Sequence, residues 1–124
     1  MKLFEARPAD GDCYEVAGRR VLNGSDELIL VHGVVTGQGD IEGKKFGHAW
    51  VEYQHPEMGI WLVEDNSNGR DITLPRDYYY DLARLDKSQM IRYRKEEVSK
   101  NILKHEHWGP WDADHLSPEK EWNV

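Results

Sequence analysis

Three apolar runs, Leu28 to Thr36, Phe46 to Gln54 and Ile60 to Asp65, follow one another with little between them except turn-forming residues. Val, Leu and Ile dominate the first, and Trp50, Val51 and Tyr53 mark the second, a composition suited to a pleated, half-buried surface. The segment Gly37-Gln38-Gly39-Asp40 through Gly43-Lys44-Lys45 is a glycine-rich connection, while His55-Pro56-Glu57-Met58-Gly59 is a tighter turn. An antiparallel meander is the simplest arrangement of such strands.

Helical spacing brackets this sheet. Cys13, Val16, Ala17, Val21 and Leu22 recur at the period of one helix face over residues 13–22, with Asp12 placed as N-cap and Asn23-Gly24 as the stop. Beyond the Asn66-Ser67-Asn68-Gly69 turn, Asp71-Ile72-Thr73 is a short extended piece, and Thr73 is positioned to cap a helix over Pro75 to Leu85. Gln89 to Arg94 alternates as a further strand, and Lys95 to about Lys104 forms another helix with Val98 and Ile102 on its buried side. The expected fold is therefore one α+β domain over residues 1–124: an N-terminal helix packed on an antiparallel sheet, with C-terminal helices around it.

Composition narrows the partners. The chain has 124 residues and a formal net charge of −7, with 39% hydrophobic and 31% charged residues. That acidity argues against a nucleic-acid backbone or an anionic membrane, both of which reward clustered Lys and Arg. One cysteine cannot form an internal disulfide, and neither a secretory leader nor a membrane-length apolar run is present, so a reducing cytoplasmic setting is expected.

The same cysteine leads to the chemistry. Cys13 falls in the first turn of its helix, where amide N–H groups and the positive end of the helix dipole favour a thiolate. If Tyr53 lies opposite Ile60 across the turn near Pro56 and Glu57, His48 faces Asp65 on one side of the sheet, together with Trp50 and Val63. A helix covering that side with its N-terminus at His48 brings the thiol to the imidazole. Cys13 is then the candidate nucleophile, His48 the base and later the acid, and Asp65 the group that orients the imidazole. Asn66 or Asn68 is an alternative orienting group. Trp50, Asn66 and Asn68 are candidates for the substrate groove, and backbone N–H groups near Cys13 for the oxyanion hole.

The segment His48-Ala49-Trp50-Val51-Glu52, followed by Trp61 and Asp65, resembles the second and third core motifs of transglutaminase-like proteins within the papain-like cysteine-hydrolase superfamily. In that family a Cys opens a helix, a His begins a strand and an Asp or Asn ends the next. The resemblance covers roughly residues 10–68, with Asn66 standing where the family often has a Pro. A second likeness, carried by Leu30 to Gly37, Ser67-Asn68-Gly69-Arg70 and Trp108-Gly109-Pro110-Trp111, is to small papain-like proteins of phages and other mobile elements. What the resemblance implies is a cysteine hydrolase acting on an amide, peptide or isopeptide bond of a peptide, protein or other amide-bearing substrate. Acyl transfer to an amine and a non-catalytic binding or anti-defence module on the same fold remain open alternatives.

Two further groups have competing readings. His32 is expected to be packed or supporting, and reaches the face of His48 only if the first strand pairs in the appropriate register. His105, His107 and His115, with nearby carboxylates, are the rival constellation for a metal. On a helix, however, the first two point apart and no thiolate joins them, so neither a metal nor another cofactor is expected.

Overall fold

The computed structural model describes residues 3–4 and 12–112. Helix α1 (Cys13–Asn23) precedes strands β1 (Ile29–Thr36), β2 (Lys45–Gln54), β3 (Trp61–Asp65) and β4 (Ile72–Pro75). Helix α2 (Arg76–Ala83), strand β5 (Ile91–Tyr93) and helix α3 (Lys95–His105) complete the order. The architecture is an α+β fold with a five-stranded antiparallel sheet in the order β4-β3-β2-β1-β5 and three helices. The first three strands form the expected meander, β4 extends it by pairing with β3, and β5 returns to pair with the outer edge of β1.

The register of the β2–β3 hairpin differs from expectation by two residues. Tyr53 lies opposite Leu62, not Ile60, and Val51 opposite Glu64. The cause is a wider turn. His55 N–H donates to the Ile60 carbonyl, while the amides of Glu57 and Met58 donate to His55 Nδ1 and Gly59 takes a left-handed φ of 72°. Because side chains alternate with period two, a slip of two leaves the faces unchanged. His48, Trp50, Val63 and Asp65 still share one side.

That side is not the one covered by α1. Phe46, Trp50 and Val63 form one core with Val31, Val35, Tyr79 and Ala83, so α2 lies over it together with Phe4. On the opposite face, Cys13, Ala17 and Val21 of α1 pack with Leu30, Ala49, Val51, Tyr93 and Val98. Side-chain volume explains the allocation: small Ala49 accepts a closely laid helix, whereas the indole of Trp50 needs the larger space beneath Tyr79 and Tyr80. Gly33, opposite His48, makes room for that indole, since a Cβ there would stand 2.6 Å from Trp50 Cη2.

Two caps also differ. Thr73 is inside β4, paired with Glu64, and α2 starts after Pro75. Thr73 stands three residues before Arg76, and Pro75, the last residue of β4, takes the N-cap position instead. Asp12 occupies the N-cap position of α1, but its carboxylate makes no capping bond and instead accepts the Asn68 amide N–H at 3.1 Å. This contact ties the start of α1 to the turn after β3. Among the described residues, no helix is long and apolar enough to cross a membrane.

Candidate active site

The ladder between β2 and β3 ends at Val51 and Glu64. Past that point β2 runs on through His48 while β3 turns into the short helical segment Ser67–Gly69. The strands part, and the N-terminus of α1 lies at the opening. Cys13, although on a helix of the opposite layer, thus meets an imidazole that belongs to the α2 face. A cavity of about 10 Å³ lies in this gap, lined in part by Cys13, Trp50, Asp65, Asn66 and Ser67. It has room for about one water molecule.

His48 Nε2–H donates to Asp65 Oδ2 at 2.9 Å. The other ring nitrogen, Nδ1, has no conventional hydrogen bond, and Cys13 is the remaining side chain whose charge and hydrogen bonding act on the ring. Burial by itself disfavours the imidazolium. The Asp65 carboxylate and then Cys13 outweigh burial and raise the His48 pKa from 6.5 to about 9. Burial likewise opposes the Asp65 charge, but His48, Arg70 and Ser67 hold its carboxyl well below the usual carboxylate range. The pair is an imidazolium and a carboxylate at neutral pH, withdrawn from solvent: Cys13 is 1%, His48 0% and Asp65 1% exposed.

Asp65 is fixed from several directions. Tyr79 OH donates to Oδ2 at 2.8 Å. Ser67 donates to Oδ1 through both its amide at 3.1 Å and its hydroxyl at 2.7 Å. Arg70 stands 3.8 Å from the same oxygen and donates to Ser67 Oγ at 3.0 Å. The residue following Asp65 by two is thus an Asx-type partner, a pattern visible in Asp65-Asn66-Ser67. Tyr79 carries a weaker sequence signal, as one of three consecutive tyrosines whose individual directions no linear pattern specifies.

The candidate groove residues are placed as follows. Trp50 is wholly buried, with its indole stacked on His48 at 6.2 Å between centroids and 27° between planes, and Nε1–H donating to Glu52 Oε2 at 2.9 Å. Asn66 is exposed, lines the cavity and donates to Glu64 Oε2 at 3.3 Å. Asn68 is half-buried in a left-handed conformation, φ 52°, and its amide is the donor to Asp12. The group on His48 Nε2 is therefore Asp65 and not either asparagine. Glu64 also accepts from Arg20 at 2.7 Å, an ion pair that joins α1 to β3 beside the cavity.

His32 does not reach this site. It pairs with Ala49 and so belongs to the α1 face, enclosed by Tyr14, Tyr93 and Trp111 at ring distances of 4.8, 5.0 and 5.2 Å. Burial holds it neutral, with a pKa lowered to about 3. His105 and His107 do not point apart as a continuous helix would require. The helix ends at His105, Glu106 turns with φ 60°, and the two rings come within 5.8 Å. Among the described residues no three His, Cys, Asp or Glu form a metal-binding group, and His115 lies outside those residues.

Comparison of the chain with protein-family models, with curated proteins and with solved structures finds no match. The class defined by the architecture is an α+β fold whose splayed antiparallel strands hold a thiol, an imidazole and a carboxylate together.

Proposed function

We propose that the chain is a papain-like or transglutaminase-like cysteine hydrolase acting on an amide, peptide or isopeptide bond. The observation that carries this reading is the His48 ring, bonded through Nε2 to a clamped Asp65 and raised in pKa by both Asp65 and Cys13. In such a site the thiol proton resides on His48 and the sulfur attacks the carbonyl carbon, sending the π electrons to oxygen. Collapse of the tetrahedral species breaks the C–N bond, and His48 gives its proton to the leaving nitrogen, leaving a thioester. Water then attacks with His48 as base, the C–S bond breaks, and Cys13 recovers its proton. An amine in place of water makes the same site a transferase. The cavity beside Cys13 suits a hydrolytic water.

A second reading is favoured by a specific observation. A thiol 1% exposed beside a cavity of about 10 Å³ suits a non-catalytic binding or anti-defence module that retains a catalytic framework. Iodoacetamide labelling of Cys13 at near-neutral pH separates the two. The hydrolase reading expects rapid labelling that His48→Ala slows at least about tenfold, because the thiolate is the reacting form. Equally slow labelling of both proteins would exclude it.

A further inference from the structure

Leu3 and Phe4 are held beside the site in the way a bound peptide is held. Their backbone polar groups are all satisfied, and by side chains and a loop instead of a β-ladder. Gln38 Oε1 accepts from the amides of Leu3 at 2.8 Å and Phe4 at 3.1 Å, and Gln38 N–H donates back to the Phe4 carbonyl at 2.6 Å. The Leu3 carbonyl accepts from Arg70 Nη2 at 2.8 Å and Nε at 3.2 Å. The Phe4 ring, wholly buried, meets His48, Phe46 and Tyr79 edge-on at 5.0, 5.9 and 6.2 Å, with the Arg70 guanidinium 5.0 Å from its centroid. Two consecutive amides converging on one acceptor, combined with one aromatic pocket, specify a short turned segment and a single side chain.

Two residues link this slot to the triad: Phe4 lies on the His48 ring, and Arg70 contacts both Leu3 and Asp65. We propose that the slot formed by Gln38, Phe46, His48, Arg70 and Tyr79 is a binding site for a short peptide segment carrying an aromatic residue, occupied in cis by Leu3–Phe4. It regulates the Cys13–His48–Asp65 site, and in that respect rests on the hydrolase reading. A segment of the same chain competes at an effective concentration on the order of millimolar, so a free peptide gains access only when the cis copy is released.

The test uses the capped peptide acetyl-Lys-Leu-Phe-Glu-amide and the full chain. In the unmodified protein, the Leu3 and Phe4 amides should exchange with solvent by local release, well before those of β2. Exchange only through global unfolding would make these residues plain core and overturn the proposal. Phe4→Ala empties the aromatic pocket of its cis occupant while leaving Gln38, Phe46, His48, Arg70 and Tyr79 unchanged. The peptide should bind this variant at least about tenfold tighter than the unmodified chain, shifting the His48 ring resonances, and a peptide with Ala for Phe should not bind. Absence of saturable binding to the folded variant also overturns it. None of these readouts requires a reactive Cys13, so failure of the slot and failure of the hydrolase reading are separate results.

Discussion

Asp65→Asn is the sharpest perturbation of the site, because it removes a charge and nearly preserves a shape. In the parent protein the imidazolium is favoured by the difference between a pKa of 6.5 and one of about 9, worth about 3 kcal/mol at about 1.4 kcal/mol per unit. With the carboxylate gone, the fully buried ring loses its largest favourable interaction and keeps the desolvation cost. His32 shows the consequence within the same molecule: a buried imidazole with no hydrogen bond, lowered to about 3. Cys13 still favours the charged ring in the variant, so His48 should fall below 6.5 without reaching the His32 value. The assay is an NMR titration of the His48 ring nitrogens, run beside the pH dependence of Cys13 alkylation. Neutral His48 at pH 7 and a parallel loss of alkylation rate are expected. The reasoning fails if His48 titrates near 6.5 in the parent, or if a folded Asp65→Asn protein keeps the parent titration.

The stability of the parent should depend on pH through the same pair. Because the folded pKa of His48 lies above its unfolded value, this contribution is complete below pH 6.5 and is lost as pH rises toward about 9. Urea midpoints should decline across that window, by an amount equivalent to about 3 kcal/mol at most. Asp65, shifted down, acts in the acid range: its contribution is present above 3.8 and disappears as pH falls through the folded value, as an acid titration of stability should show. Tyr79→Phe removes one buried donor to a charged acceptor, costing roughly 1.5–3 kcal/mol in denaturation and raising the His48 pKa further, since Asp65 then interacts more strongly with the ring. Gly33→Ala drives a Cβ into the fully buried Trp50 indole and should cost about 1–3 kcal/mol, with a changed near-ultraviolet signal from Trp50.

Much of this framework is legible in the sequence for identifiable reasons. The strand runs are bounded by turn chemistry, and α1 begins at Cys13 as its apolar spacing requires. His48 and Asp65 share one face despite two departures from expectation, because each leaves side-chain parity intact. The hairpin register depends on where His55 receives its hydrogen bonds, a detail of turn geometry that composition does not encode. The face chosen by α1 depends on the competition between Ala49 and Trp50 for helices of different bulk, a long-range comparison. Only where β2 and β3 diverge does the face become immaterial, since the thiol approaches at the gap between the strands. The tyrosine and serine clamp on Asp65 was hidden for another reason: Tyr78, Tyr79 and Tyr80 look alike until the helix axis is placed.

Once it is placed, the consecutive tyrosines of α2 explain how one helix serves two buried carboxylates. Adjacent helix residues point about 100° apart, so Tyr79 can reach the end of β3 while Tyr80 reaches the C-terminal part of β2. Tyr79 donates to Asp65 and Tyr80 to Glu52. The two acids are nevertheless in different situations. Asp65 has both oxygens hydrogen-bonded and faces an imidazolium, whereas Glu52 has one oxygen bonded to Trp50 and Tyr80 and the other without a hydrogen bond, facing Arg92 at 3.5 Å and Arg76 at 3.7 Å. A buried carboxylate with such distant cations contributes less than an intimate pair, because charge attraction then offsets less of the desolvation cost. Glu52 does, however, hold the Trp50 indole, and Trp50 stacks on His48. Its effect on the triad is therefore transmitted through ring placement, while that of Asp65 is exerted directly on the proton.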